Sequence, residues 1–167
     1  TVGVNTGTPL VNGASQEVTY VASGDSWSQS LITDGLTNST AGILLAGDVF
    51  VIAGVFAVNR RSRVSTGSLQ TFLVTADAAS GASTGPSTMT ISPPMIIDGP
   101  YQTVSNAPAD DAVITVLTGT GGTSHPQNIG FHKNAITLAM APLDMPTDGA
   151  SSARESFKGI SIRSVRQ

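Results

Sequence analysis

The longest apolar run in the chain lies near its middle and predicts a strand with a break in it. Apolar residues occupy nearly every position from 49 to 58, a strand-length run bounded by turn residues. Gly54 interrupts the run, so we expect either one kinked strand or two strands joined by a hairpin. A third strand is predicted at 69–74, after a short exposed loop. Because both halves of the run are apolar at nearly every position, we expect burial on both faces or a core strand with little contact with solvent.

Shorter segments on either side alternate apolar and polar residues with the period of two that half-buried strands show. Residues 1–13 are rich in Gly, Thr and Asn and are predicted to form a lead-in arm. The pattern at 129–143 is ambiguous, and we favour a strand over a helix there, with 134–143 the least certain part. The other segments predicted as strands are 16–22, 27–32, 87–92, 101–104, 112–117 and 157–165.

This succession of short strands, with a turn signal between most of them, predicts an all-β fold. We expect a small β-barrel or sandwich, and the alternative is an immunoglobulin-like β-sandwich. Residues 119–126 are the most glycine-dense stretch of the chain and the best candidate for a domain boundary.

Composition narrows the class of protein. Only 11% of the residues are charged and the formal net charge is −3, so no general basic field attracts nucleic acid. The absence of cysteine excludes a disulfide framework and a thiolate metal site. No stretch approaches the ~20 apolar residues of a membrane span, and the first residues do not resemble a signal peptide. Because the chain lacks an initiator methionine, we expect a processed product or a piece of a longer protein.

Residues with catalytic or metal-binding potential are few and scattered. His125 and His132 lack nearby acidic ligands, and we expect structural or solvent-exposed roles for both. The pair Asp110 and Asp111 precedes a strand and is better explained as a turn, as is Asp48 after Gly47. The glycines at 119–122 lack the Lys-Ser/Thr and the helix of a phosphate-binding loop. We therefore expect no enzyme, no cofactor and no metal.

Arg60, Arg61 and Arg63 form the one basic patch visible in the sequence. The patch is too small and too poor in aromatic residues for a nucleic-acid platform. A charge contact with a neighbouring subunit is our hypothesis for these three arginines. The single tryptophan, Trp27, is expected to be a packing anchor rather than a ligand platform.

Four long phrases resemble the major coat proteins of tailed phages of the short-tailed Salmonella type. The resemblance covers most of the chain from about residue 42, and the phrases are long enough to be fairly specific. They are AGDVFVIAGVFAVNRRSRVSTGSLQTFLVTAD, MTISPPMIIDGPYQTVSNAPADDAVITVL, NIGFHKNAITLAMAPLDMP and FKGISIRSVRQ.

The resemblance implies a layout in which a β-barrel insertion domain interrupts the tailed-phage capsid fold. Residues 1–40 would be a lead-in arm with strands, 41–118 the insertion domain, 119–126 the boundary, and 127–167 the return to the axial and peripheral parts of the subunit. The N-terminal arm and long spine helix of a complete coat subunit are not in this sequence, so we expect the middle of a coat protein.

The same resemblance implies a function and partners. The protein would be a structural component of the virion capsid, assembled in the bacterial cytoplasm, whose insertion domain helps the subunit to fold and to contact its neighbours. Partners would be other coat subunits, with scaffolding or portal protein as further candidates, and neither specific nucleic acid nor membrane. The alternative is a β-sandwich binding module of the adhesin or carbohydrate-binding type, which the low aromatic content of 5% disfavours.

Overall fold

The computed structural model describes residues 1–126, 128–132, 135, 144, 151–157 and 160–166. The chain divides into two compact units, Thr1–Pro126 and Gln127–Gln167. The elements of the described residues are β1 (Gly7–Val11), α1 (Tyr20–Ser23), β2 (Gln29–Leu36), β3 (Val49–Val58), β4 (Ser65–Val74), β5 (Ser87–Ser92), β6 (Ile114–Val116), β7 (Ser151–Phe157) and β8 (Ile160–Arg166).

The first unit is an antiparallel six-stranded sheet that curls until its two edges meet. The strand order is β1-β2-β5-β4-β3-β6. The edge strands approach each other where Leu10 bridges Val113 and where Val11 N donates to Ala112 O at 3.0 Å. One sheet that nearly closes on itself is a barrel, which confirms the predicted all-β barrel fold. The first 40 residues contribute β1 and β2 to this same sheet.

Side chains of alternate residues fill the barrel interior, as the period of a strand requires. In β3 and β4, Phe50 and Phe72 are directly opposite each other and fully buried, with ring centroids 5.7 Å apart. The neighbouring strands add apolar side chains at every second position. The fully buried strand residues include Leu31, Phe50, Ile52, Phe72, Val74 and Ile91.

β3 is a single strand with a kink, which is one of the two predicted forms. Gly54 has a φ of +80°, a conformation that side-chain-bearing residues rarely adopt. The register with β4 shifts across it, since Val51 is opposite Thr71 whereas Phe56 is opposite Leu69. The predicted third strand at 69–74 is longer than expected, because β4 begins at Ser65.

The strand predicted at 16–22 is wrong. Residues 20–23 form the short helix α1, and Thr19 caps it by accepting a hydrogen bond from Ala22 N at its side-chain oxygen. The alternation there does not correspond to burial, since Tyr20, Val21 and Ala22 are all exposed. A local capping interaction prevailed over the strand pattern.

The strand predicted at 27–32 is displaced, because β2 runs from Gln29 to Leu36. Asp34 and Gly35, a pair of residue types common in turns, lie inside this strand. Gly35 has a φ of +70°, and a Cβ there would lie 2.2 Å from Thr8 O. The absence of a side chain at Gly35 therefore permits a close approach between β1 and β2, and the residue does not form a turn.

Two of the strands predicted after β5 are shorter in the structure than expected. Residues 101–104 contribute one bridge, between Val104 and Ala57. The strand predicted at 112–117 is the shorter β6. Conversely, the predicted lead-in arm at 1–13 contains β1.

The second unit contains an antiparallel hairpin of β7 and β8, in which Phe157 pairs with Ile160. After residue 143 the sequence pattern predicts one strand, at 157–165, so the first strand of this hairpin, Ser151–Phe157, is missed. Ile160 and Ile162 are 44% and 67% exposed. Residues 134 and 136–143 lie outside the described residues, as therefore does the question of helix or strand there.

The barrel has two distinct ends. The junction end brings residues 2–6 beside 117–123, where Val2 N donates to Thr123 O at 2.9 Å and Gly122 N donates to Gly3 O at 3.0 Å. The opposite end, called here the arginine end, is formed by residues 12–28, 59–64 and 93–112. The first and last segments of the barrel unit therefore lie side by side, far from the β3–β4 loop.

Candidate functional site

The β3–β4 loop, residues 59–64, holds the three arginines in a defined backbone. Asn59 Oδ1 accepts hydrogen bonds from the backbone N–H of Arg61 at 2.9 Å and of Ser62 at 3.2 Å. Asn59 N also donates to Val64 O at 3.0 Å, and Arg63 N donates to Asn59 O at 2.7 Å. An asparagine side chain that binds the backbone two residues ahead stabilises a turn. The loop is thus ordered by Asn59, while all three arginine side chains are exposed.

These arginines are the basic side chains of the barrel unit, because every other lysine and arginine of the chain follows residue 126. Within the described residues, none of the three guanidinium groups forms an ion pair with a carboxylate. The positive charge of the barrel is therefore confined to one loop at one end. The acidic side chains of the unit are Glu17, Asp25, Asp34, Asp48, Asp77, Asp98, Asp110 and Asp111.

An aromatic cluster lies beside this loop. The guanidinium carbon of Arg60 lies 5.9 Å from the centroid of the Trp27 ring, within the range of a cation–π contact. Trp27 meets Tyr20 edge to face at 6.4 Å, and Tyr20 stacks on Tyr101 at 3.7 Å with 8° between the ring planes. A side-chain hydrogen bond with Tyr101 raises the pKa of Tyr20 above its ordinary value.

The cluster distinguishes the three arginines. Arg60 contacts Trp27. Among the residues that the structure describes, Arg61 and Arg63 are exposed and have no aromatic contact. Arginine, tyrosine and tryptophan are the residues enriched at protein interfaces and among their energetic hot spots. The arginine end therefore contains residue types that are common at protein interfaces.

The sequence pattern indicates the arginines, but it does not place Trp27 and the two tyrosines beside them. Together with Arg60, the members of the cluster come from three separate segments, so no local motif marks it. The available signal was that Tyr20, Trp27 and Tyr101 all lie near turn-forming residues such as Gly24 and Gly99, and hence at strand ends.

The aspartates considered in the sequence analysis lie in turns, where two of them accept backbone hydrogen bonds. Asp48 is 2% exposed, and its Oδ2 accepts hydrogen bonds from Gly3 N and Leu45 N, both at 2.9 Å. Asp110 Oδ1 accepts from Gly13 N at 2.7 Å, and Asp111 has a φ of +59° in a turn. The two carboxylates therefore do not form an acid–base pair.

The histidines belong to different units. His125 lies in the predicted boundary segment, where its Nε2 is 2.7 Å from Thr123 Oγ1. His132 lies in the second unit. Among the described residues no group of three or more His, Cys, Asp or Glu is arranged to hold a metal ion. In the same part of the chain, no helix has the length and apolar character needed to cross a membrane.

The chain was compared with curated proteins, with solved structures and with models of protein families. A search of curated proteins returned no match. Among solved structures the chain is similar to the CUS-3 coat protein I-domain, at 29% sequence identity and a TM-score of 0.44 over 68% of this chain and 98% of that one. The family model described as "P22 coat protein - gene protein 5" matches residues 1–167. The alternative of a binding module finds no support in these comparisons. The chain thus belongs to the P22 coat protein family, and it is a structural protein of a bacteriophage capsid.

Proposed function

We propose that the barrel unit is the insertion domain of a coat subunit, where it stabilises the fold of the subunit and contacts neighbouring subunits through its arginine end. The observation that carries this proposal is the separation of the two ends. The segments that begin and finish the barrel are hydrogen-bonded together at the junction end, and all its positive charge lies at the other. A domain held at one end presents the opposite end to its neighbours.

The proposed insertion domain runs from residue 1 to residue 118. We assign residues 1–40 to it together with 41–118, because β1 and β2 are strands of the same sheet as β3 to β6. Residues 119–126 form the boundary, which the division of the chain after Pro126 supports. We assign residues 127–167 to the return toward the axial and peripheral parts of the capsid fold.

The contact itself is assigned to Arg61 and Arg63, with Arg60 as the residue that holds the loop against Trp27. The complementary group on the neighbouring subunit is anionic. Exposed ion pairs contribute only about 0.2–1 kcal/mol each, but a shell repeats the same contact in every subunit. Small pairwise energies can therefore decide whether the shell assembles.

The test is a double charge reversal, Arg61→Glu with Arg63→Glu, in the coat subunit as its gene encodes it. Both side chains are exposed, so the variant is expected to keep the thermal midpoint of the native subunit. We expect the yield of capsid particles, measured by sedimentation, to fall roughly tenfold or more because like charges now meet at each contact.

The matched control is Ser68→Glu, which adds a negative charge on exposed β4 but leaves the arginines in place. It should assemble as the native subunit does. If the double reversal also assembles at the native yield, the arginine loop makes no contact that matters to the shell, and the proposal is wrong.

We also propose that scaffolding and portal proteins are partners and that assembly takes place in the bacterial cytoplasm. Membership of a phage coat protein family supports this, because a shell must be built around other structural components before release. Affinity purification of the tagged coat subunit from the cytoplasmic fraction of producing cells should retain both proteins. Their absence at every stage of assembly would contradict the proposal.

A further inference from the structure

The two tyrosines of the chain face each other across two distant segments. Tyr20 lies in α1 and Tyr101 in the segment between β5 and β6, yet their ring centroids are 3.7 Å apart and their planes differ by 8°. Both are accessible, with 40% and 47% of their surfaces exposed. Two phenols in near-parallel contact at a surface are open to reagents that act on both.

The surroundings favour oxidation at this pair over other groups. The chain contains no cysteine, so no thiol competes for an oxidant. The guanidinium of Arg60 lies over Trp27, where it opposes formation of a positively charged indole radical. A tyrosine that loses an electron also loses its hydroxyl proton and becomes a neutral radical, which the nearby cation does not disfavour. An oxidant that reaches the aromatic cluster therefore oxidises the tyrosines in preference to Trp27.

We propose that Tyr20 and Tyr101 form a site of oxidative modification, at which a one-electron oxidant joins the two rings by a carbon–carbon bond ortho to each hydroxyl. Each phenol gives up one electron and its hydroxyl proton. The two radicals couple at their ortho carbons, and each ortho hydrogen then moves as a proton to the oxygen of its own ring. In sum two electrons and two protons leave the protein, and the electrons reduce the oxidant.

The geometry explains why the coupling takes place within one molecule. Holding two reactants together replaces an encounter between molecules by a local step, which is favoured by large factors. The cross-link closes the chain from Tyr20 to Tyr101, a segment that contains β2, β3, β4 and β5. A covalent link across so long a loop restricts the unfolded chain and stabilises the fold, as a disulfide does.

The experiment irradiates the folded 167-residue chain with visible light in the presence of a ruthenium trisbipyridyl complex and persulfate, which accepts the two electrons and becomes two sulfates. We expect dityrosine fluorescence in the monomer fraction and a mass lower by two hydrogen atoms. Trypsin cuts after Arg60, Arg61 and Arg63, between the two tyrosines, so only the linked product keeps both tyrosine peptides together.

Tyr101→Phe is the matched variant, because it keeps the aromatic ring and removes the phenol. It should give no dityrosine within the monomer. As a second comparison, the native sequence unfolded in urea should give an at least about tenfold lower yield of the intramolecular link, since the rings are no longer held together. Equal yields from folded and unfolded chains, or dityrosine found only in cross-linked dimers, would overturn the proposal.

Discussion

At the scale of single residues, Asp48 shows how one side chain can fix both the turn before a strand and the position of the first residues of the barrel unit. Its carboxylate is buried, and one oxygen accepts hydrogen bonds from the backbone N–H of Gly3 and of Leu45. A buried carboxylate is tolerated only when it is hydrogen-bonded in this way. Asp48 thereby ties the first residues of the barrel to the turn that precedes β3.

We expect Asp48→Ala to lower the free energy of unfolding by about 2–4 kcal/mol, because two backbone donors lose a charged acceptor in a buried site. Urea unfolding of the 167-residue chain measures the change. The control is Asp77→Ala, which removes a comparable bond to Ala46 N at an exposed position and should cost about 1 kcal/mol. Equal losses for the two variants would show that burial at Asp48 contributes nothing.

The sequence allowed some residue roles to be predicted and others not. Asp48 was assigned to a turn because Gly-Asp before an apolar run is a local pattern, but its bond to Gly3 spans 45 positions and has no local signature. Arg60 was predicted as exposed and cationic, which is a property of its own residue type and neighbours. Its contact with Trp27 depends on how the sheet curls, and only the structure reveals it.

At the scale of elements, prediction succeeded where the side-chain pattern and the sheet agree. β5 was predicted with the observed bounds, because Met89 and Ile91 alternate with Thr and Ser and both are buried. It failed where backbone geometry decides. Gly35 looks like a turn residue in sequence but lies within β2, since it allows β1 to approach.

Gly85, just before β5, is expected to be another such position. It has a φ of +66°, and a Cβ there would lie 1.8 Å from Leu36 O. Gly85→Ala should lower the free energy of unfolding by about 2–4 kcal/mol, from left-handed strain and from displacement of β2.

The matched control for this element is Gly122→Ala. Gly122 has a nearly equal φ of +71°, but apart from its two chain neighbours no atom of the described residues would lie within 4 Å of a Cβ added there. It should show only the conformational cost of about 1–2 kcal/mol. Thermal or urea unfolding distinguishes the two, and a loss at Gly122 as large as that at Gly85 would mean that the contact with Leu36 is not the cause.

At the scale of the whole molecule, the two units should differ in stability. The barrel has a continuous buried core, whereas the described strands of the second unit form a two-stranded hairpin with exposed Ile160 and Ile162. Isolated hairpins are at best marginally stable in water. Hydrogen exchange of the 167-residue chain should therefore show amides of β3 and β4 exchanging on the order of 100-fold more slowly than those of β7 and β8. Exchange at the same rate would indicate a single cooperative unit.

The contacts at the junction end also determine how the barrel responds to force. Residues 2–4 run antiparallel to 121–123, and Val2 and Thr123 are joined by a backbone hydrogen bond. Tension that draws residues 1 and 126 apart loads these bonds one after another rather than together, so the segments unzip at low force. Each bond contributes only about 0.5–1.5 kcal/mol. Such tension is therefore released first at the hydrogen bonds between these two segments, and the packed interior around Phe50 and Phe72 is spared.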